Sequence, residues 1–137
     1  MTDIFTQKKR SEIMSRIHGT DTGPEFVVRS LLNWMGYRFR LHRADLPGKP
    51  DIVLPRHRKI IFVNGCFWHG HKSCQKGRSR PTSHARFWKD KIEGNAARDK
   101  KNTLALRRRG WSVLTVWECE TIDPFKLFGK LLRFMEK

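Results

Sequence analysis

Two short apolar runs with a four-residue interruption between them constrain this chain more than any other feature. Asp51 to Leu54 and Lys59 to Val63 are rich in β-branched residues and too short for helices, so they read as strands. Pro55-Arg56-His57-Arg58 between them reads as a hairpin connection. The second strand runs straight into Asn64 to Pro81, an irregular stretch of Gly, Cys, His, Lys and Arg. A loop of that length inside a domain is usually functional or held by a metal.

The flanks are helical. A first, basic helix is expected over about Gln7 to Ile17, with Ile13, Met14 and Ile17 close to one face, and a polar break follows from His18 to Gly23. In the second helix Thr22 can cap, Pro24 suits the first turn, Val28, Leu31, Leu32 and Met35 share a face, and Gly36 ends it. Tyr37 to Leu41 alternates like a strand, and Leu46 to Pro50 is a loop. Beyond the irregular stretch a long helix is expected from about His84 to Arg109, stopped by Gly110, although Gly94 inside it costs ~1 kcal/mol relative to Ala. Trp111 to Trp117 reads as a strand. Asp123-Pro124 starts a last helix with Phe125, Phe128, Leu132 and Met135 on one side. The expectation is one α/β domain over residues 1–137, with a mixed central sheet flanked by helices and residues 1–20 as a basic helical arm.

Charge narrows the partner. Lys and Arg number 29 against 13 Asp and Glu, a formal net charge of +16. Such a surplus calls for an anionic partner, and nucleic acid is the leading one. A ribosomal-type or merely solubilised basic protein is the plainer alternative. No segment is apolar long enough to span a bilayer, and the first ten residues lack the apolar core of a signal peptide, so an intracellular protein without a membrane partner is expected. Three cysteines in a reducing cytosol fit metal ligation better than disulfides.

Cys66, His71, Cys74 and Cys119 form a donor set that tetrahedral Zn²⁺ accepts, and a closed four-ligand site would pin the loop to the sheet. Reduced, unliganded thiols are the alternative. Asp51, where loop becomes strand, is the acid a hard cation such as Mg²⁺ would use beside a phosphate; it could equally cap a turn after Pro50. Glu25 fits a capping box with Thr22, without excluding a second role. Asp99 shares a helix face with Trp88, Ile92 and Leu106, so its carboxylate must be paired, metal-bound or facing a cleft. His69 could relay a proton to or from an attacking water. The other histidines, His18, His42, His57 and His84, read as surface or DNA-contact residues. Phe67 and Trp68 are core aromatics or, if a constrained loop makes them protrude, a wedge that opens stacked bases. A mismatched pair is cheaper to open, so such a wedge can select for damage.

Pro50-Asp51, Phe62-Val63-Asn64-Gly65-Cys66-Phe67-Trp68-His69 and Trp117-Glu118-Cys119 resemble the very-short-patch repair (Vsr) DNA mismatch endonucleases, and the likeness runs from Arg10-Ser11 and Met14 through Cys119. The resemblance implies a restriction-endonuclease-like fold and Mg²⁺-dependent nicking of one strand, 5′ to the thymine of a T·G mismatch left by deamination of 5-methylcytosine. It implies two Mg²⁺, with Asp51 bridging them and Val63 supplying a backbone carbonyl. Glu25, His69 and Asp99 match positions that hold the ions' waters, while Cys66, His71, Cys74 and Cys119 match a structural zinc. Phe67, Trp68 and Met14 match intercalating residues. It also implies double-stranded DNA as substrate, MutL and MutS as candidate partners, and a place near the nucleoid in a bacterial cytoplasm. Well-known members carry a His where this chain has Asn64. Asn64 can join the catalytic set as a hydrogen-bond donor but cannot carry a proton at neutral pH, which leaves His69 as the acid–base candidate. Nicking one strand needs only one active site, so a monomer suffices. A restriction or homing-type nuclease of the same fold and a zinc-stabilised, non-catalytic DNA-binding module remain the alternatives.

Overall fold

The computed structural model describes residues 6–17 and 23–137. Four strands form one mixed sheet in the order β1 (Arg40–Leu41), β2 (Ile52–Leu54), β3 (Lys59–Asn64), β4 (Ser112–Trp117). β1 pairs antiparallel with β2, and β2 with β3; β4 lies parallel to β3. A parallel pair needs a crossover, and the long helix α4 (Ala85–Arg108) supplies it. The registers matter for the chemistry. Leu41 faces Ile52 across β1–β2, so the next pair out is His42 with Asp51, and the His42 N–H donates to the Asp51 carbonyl at 3.1 Å. Asn64 faces Trp117 across β3–β4.

Helices cover both sheet faces. On one side α1 (Gln7–Ile17), α2 (Pro24–Trp34) and α5 (Pro124–Glu136) bury the main core, which joins Ile13, Val28, Leu31, Leu32, Leu127 and Leu131 to Ile52, Leu54 and Ile61. The alternate residues, Val53 and Ile60, point the other way and meet Leu106 of α4 and Trp111. Truncating Leu32 or Leu131, both 0% exposed, to Ala costs about 2–5 kcal/mol. α5 is capped by the Asp123 carboxylate, which accepts from the N–H groups of Phe125 and Lys126. At its other end the buried Lys59 ammonium donates to the carbonyls of Phe134 and Met135 at 2.6 and 2.9 Å, tying α5 to β3. Among the described residues no helix is long and apolar enough to cross a membrane.

Several boundaries differ from the sequence reading. The strand expected over Tyr37 to Leu41 is only Arg40–Leu41, and His42 turns the chain after it with a left-handed φ of 50°. The expected hairpin between β2 and β3 is present, and its connection over Pro55–His57 is a 3-10 turn closed by a left-handed Arg58. The irregular stretch contains a helical turn, α3 (Gln75–Arg78). The N-cap of α2 is Gly23, without a side-chain capping bond, and the Glu25 carboxylate faces His42 and Arg29. Thr22, the cap expected from sequence, lies outside the described residues, as does His18.

Candidate functional site

The acid end of the site forms where β2 begins. The half-buried Asp51 accepts from the Val63 N–H at 2.7 Å through Oδ2, which fixes its carboxylate against the end of β3. Burial raises its pKa above the usual carboxylate range, the Val63 N–H pulls it down, and Glu25 pushes it up. Glu25 arrives from the first turn of α2. Its Oε1 lies 3.2 Å from His42 Nε2 and its Oε2 lies 3.6 Å from Arg29. Donor atoms of Glu25, His42 and Asp51 lie within 4.8 Å of one another. Three segments therefore converge on one point, each from a different part of the fold: the start of α2, the end of β1 and the start of β2.

The imidazole end is built by the loop after β3. Backbone bonds from His69 to Gly65, Gly70 to Phe67 and His71 to Cys66 coil this loop into tight turns. One stripe of α4, spaced 4, 3 and 4 residues apart, grips it. Trp88 packs its ring against Phe67 and Trp68 at 5.6 and 5.5 Å. A Cβ on Gly70 would meet Ile92 Cγ2 at 2.8 Å, and Gly70 also needs its φ of 63°. Asn95 donates to the Trp68 carbonyl at 2.8 Å. Asp99 Oδ2 lies 2.6 Å from His69 Nδ1. A carboxylate on Nδ1 orients an imidazole and leaves Nε2 to face a reacting group. The expected need of Asp99 for a partner is met by His69. Asn64 is buried and, with Phe62, Asp99, Asn102, Thr103 and Thr115, lines a small cleft behind that pair.

The aromatic group at the loop tip is partly open to solvent. Trp68 is 48% exposed and Phe87, packed edge-on against Trp88, is 59% exposed. Phe67 is half-buried between Trp68 and Trp88. Met14 is half-buried on α1, next to Ile13 of the main core.

The sulfur cluster stands on the other side of the same loop. Donor atoms of Cys66, His71, Cys74 and Cys119 lie within 4.8 Å of one another. His71 Nδ1 is 3.7 Å from Cys66 Sγ and 3.5 Å from Cys119 Sγ. Zinc bonds of about 2.3 Å to sulfur and about 2.05 Å to nitrogen give a tetrahedral edge of roughly 3.6 Å, so these four residues fit a tetrahedral ion. The surroundings hold the donors in place. The Gly77 N–H donates to Cys74 Sγ at 3.3 Å and the Cys119 N–H to Cys66 Sγ at 3.4 Å. The His71 ring stacks on Trp117 at 4.2 Å, 11° from parallel. Glu118 accepts from the Cys66 N–H at 3.2 Å and from Lys76 at 3.0 Å, which holds its carboxyl below the usual range. Burial pushes the Cys66 thiol up to about 12 and raises Cys119, whereas the Gly77 N–H lowers Cys74. A Cβ on Gly77 would meet the His71 carbonyl oxygen at 2.0 Å, so only glycine fits there.

Comparison with known proteins places the chain in a family and a fold. A family model described as "DNA mismatch endonuclease Vsr" matches residues 2–76. The type II nicking enzyme V.XorIIP of Xanthomonas oryzae pv. oryzae is 47% identical over 136 residues, 99% of this chain and 98% of that protein. The DNA mismatch endonuclease Vsr of Escherichia coli is 41% identical over 132 residues, 96% of this chain and 83% of that protein. Among solved structures, the catalytic domain of the homing endonuclease I-Bth0305I superimposes with a TM-score of 0.59 at 24% identity, covering 83% of this chain and 94% of that one, a likeness of fold.

Proposed function

Because the chain belongs to the Vsr family of DNA mismatch endonucleases, and is therefore a DNA endonuclease, we propose that it nicks one strand 5′ to the thymine of a T·G mismatch, using Mg²⁺. The observation that carries this reading is the placement of Asp51. Its carboxylate is fixed by the Val63 N–H beside Glu25, and the His69–Asp99 pair stands on the loop that leaves the same strand. Three acids and an oriented imidazole around the end of one strand suit phosphodiester hydrolysis. The nicking enzyme of Xanthomonas oryzae supports cutting of a single strand.

Asp51 and the Val63 carbonyl would hold the Mg²⁺, a hard ion that takes oxygen donors. When bound, it neutralises charge developing on the scissile phosphate. His69, with its Nδ1 on Asp99, takes the proton of the attacking water at Nε2; such proton transfer is worth ~10²–10⁴ in rate. Glu25 orients water from the α2 side. Asn64 donates a hydrogen bond where the family places an imidazole. Cys66, His71, Cys74 and Cys119 would hold Zn²⁺, which closes the loop structurally and takes no part in the reaction.

Recognition falls to the aromatic tip. Phe67 and Trp68, backed by Trp88, enter the base stack at the mismatch, with Met14 contacting the same site from α1. A T·G pair is cheaper to open than a Watson–Crick pair, so the wedge selects for it. Double-stranded DNA is the partner; MutL and MutS are proposed from family alone. The test is a cleavage panel of 5′-labelled duplexes carrying T·G in several contexts, with matched controls, with and without Mg²⁺. Nicking confined to the thymine strand of mismatched duplexes is expected. Cutting of matched DNA at a fixed sequence, or binding without nicking under any divalent metal, would overturn the reading.

A further inference from the structure

His42 is the one residue of the acid end that no motif accounts for. It follows β1 with φ 50°, a left-handed conformation in which histidine is several-fold enriched over most residues. The β1–β2 register pins its backbone opposite Asp51 through the 3.1 Å bond from its N–H to the Asp51 carbonyl. Its Nε2 lies 3.2 Å from Glu25 Oε1, and all three side chains place a donor atom within one 4.8 Å set. An octahedral ion with bonds of about 2.1 Å has adjacent donors about 3.0 Å apart. The His42–Glu25 separation is close to that edge. The imidazole is mostly solvent-facing, with 59% of the side chain exposed, so an ion can reach it without rearrangement of the core.

We propose that Glu25, His42 and Asp51 form a mixed oxygen–nitrogen site that binds Mn²⁺ in preference to Mg²⁺. This rests on the reading of Asp51 as the metal ligand; in the DNA-free protein it adds His42 and brings Glu25, which holds water in the reaction proposed above, into direct contact with the ion. The chemistry lies in donor type. Carboxylates suit Mg²⁺ and Mn²⁺ alike, whereas imidazole is a borderline donor that favours transition ions over Mg²⁺. Mg²⁺ also gives up its waters reluctantly, so an imidazole adds little to its binding. The site in this chain would therefore discriminate between two ions that an all-oxygen site treats more equally. Arg29, 3.6 Å from the other oxygen of Glu25, balances the second negative charge and keeps Oε1 turned to His42.

The experiment uses the zinc-loaded full chain without DNA. Mn²⁺ affinity is read from the free-ion electron paramagnetic resonance signal, Mg²⁺ affinity from competition against Mn²⁺, and nitrogen ligation from electron spin echo modulation. His42→Asn tolerates the left-handed backbone, and His42→Gln serves as the second variant; zinc content and melting temperature confirm folding of each. The wild type should show nitrogen coupling to Mn²⁺. Both variants should lose that coupling and bind Mn²⁺ about tenfold or more weakly, with Mg²⁺ affinity changed less than about threefold. Unchanged Mn²⁺ binding would overturn the proposal and leave His42 as an ion-pair partner of Glu25. Equal weakening for both ions, or no nitrogen coupling in the wild type, would overturn it too. Failure of the nuclease reading is separate, because it shows as absence of T·G nicking in the wild type whatever His42 does.

Discussion

The two clusters that meet the loop 65–74 use overlapping chemistry in opposite ways. The sulfur cluster is closed: backbone N–H groups reach two of its sulfurs, Trp117 stacks on its imidazole, and Glu118 braces the Cys66 backbone. The acid cluster is open: Asp51 has one N–H bond, and Glu25 is shared between Arg29 and a largely exposed His42. On the proposed reading, the site walled by peptide and ring holds its ion permanently, and the site held at one point and left accessible admits phosphate and water. The loop between them passes the rigidity of the first to His69, Phe67 and Trp68, whose positions the second needs.

Breaking the closed cluster should have the largest effect. Cys66→Ser should lose stoichiometric metal by elemental analysis, drop stability by several kcal/mol in urea melts, and abolish nicking with it, because structural zinc contributes folding energy directly. A variant that lost metal yet kept its melting temperature would show the loop to be self-supporting. On the loop beside the open cluster, His69→Asn should lower single-turnover nicking by about 10²–10⁴ with the fold intact. An unchanged rate would remove the proton-transfer role from the His69–Asp99 pair. At the loop tip Trp68→Ala should weaken binding to T·G duplex by about 1–3 kcal/mol, the range for one aromatic–base stack. Matched duplex, held through phosphates, should weaken much less, and equal losses would contradict insertion. The smallest effect concerns stability. Asp51 has a raised pKa, so its contribution to folding is whole below the ordinary carboxylate range and is lost as pH rises through the folded-state value. Asp51→Asn keeps an acceptor for the Val63 N–H and removes the buried charge. It should raise the metal-free melting temperature at neutral pH by roughly 1–4 °C, with the gain vanishing in acid.

The closed cluster was easier to read from sequence than the open one, for a physical reason. Cys66, His71 and Cys74 sit in one loop and Cys119 at a strand end, and a thiol set in a reducing compartment has few other uses. The acid cluster is assembled by register. His42 is a lone histidine after a two-residue strand, and only the pairing of Leu41 with Ile52 brings it opposite Asp51. Asn95 was missed similarly, and Glu118 was legible only as part of the Trp117-Glu118-Cys119 motif: their bracing roles show no signal until the loop they hold is folded. Trp88 was legible as a helix-face residue, but its packing against Phe67 and Trp68 was not. The long elements were legible throughout. α2, α4 and α5 follow apolar periods punctuated by Pro24, Gly36, Gly110 and Pro124. Where tertiary contact overrides local preference, as in the turn α3 with Gly77 pressed on the His71 carbonyl, composition gave only a loop.

The most direct measurement is single-turnover nicking of a T·G duplex by Asp51→Asn in saturating Mg²⁺, with the bound fraction measured on the same samples. If Asp51 is the anchor of a metal-dependent phosphodiesterase, nicking should fall at least about a thousandfold while mismatch binding persists in a protein no less stable than the wild type. A rate within tenfold of wild type would mean that the hydrolysis, if any, is performed elsewhere on the molecule.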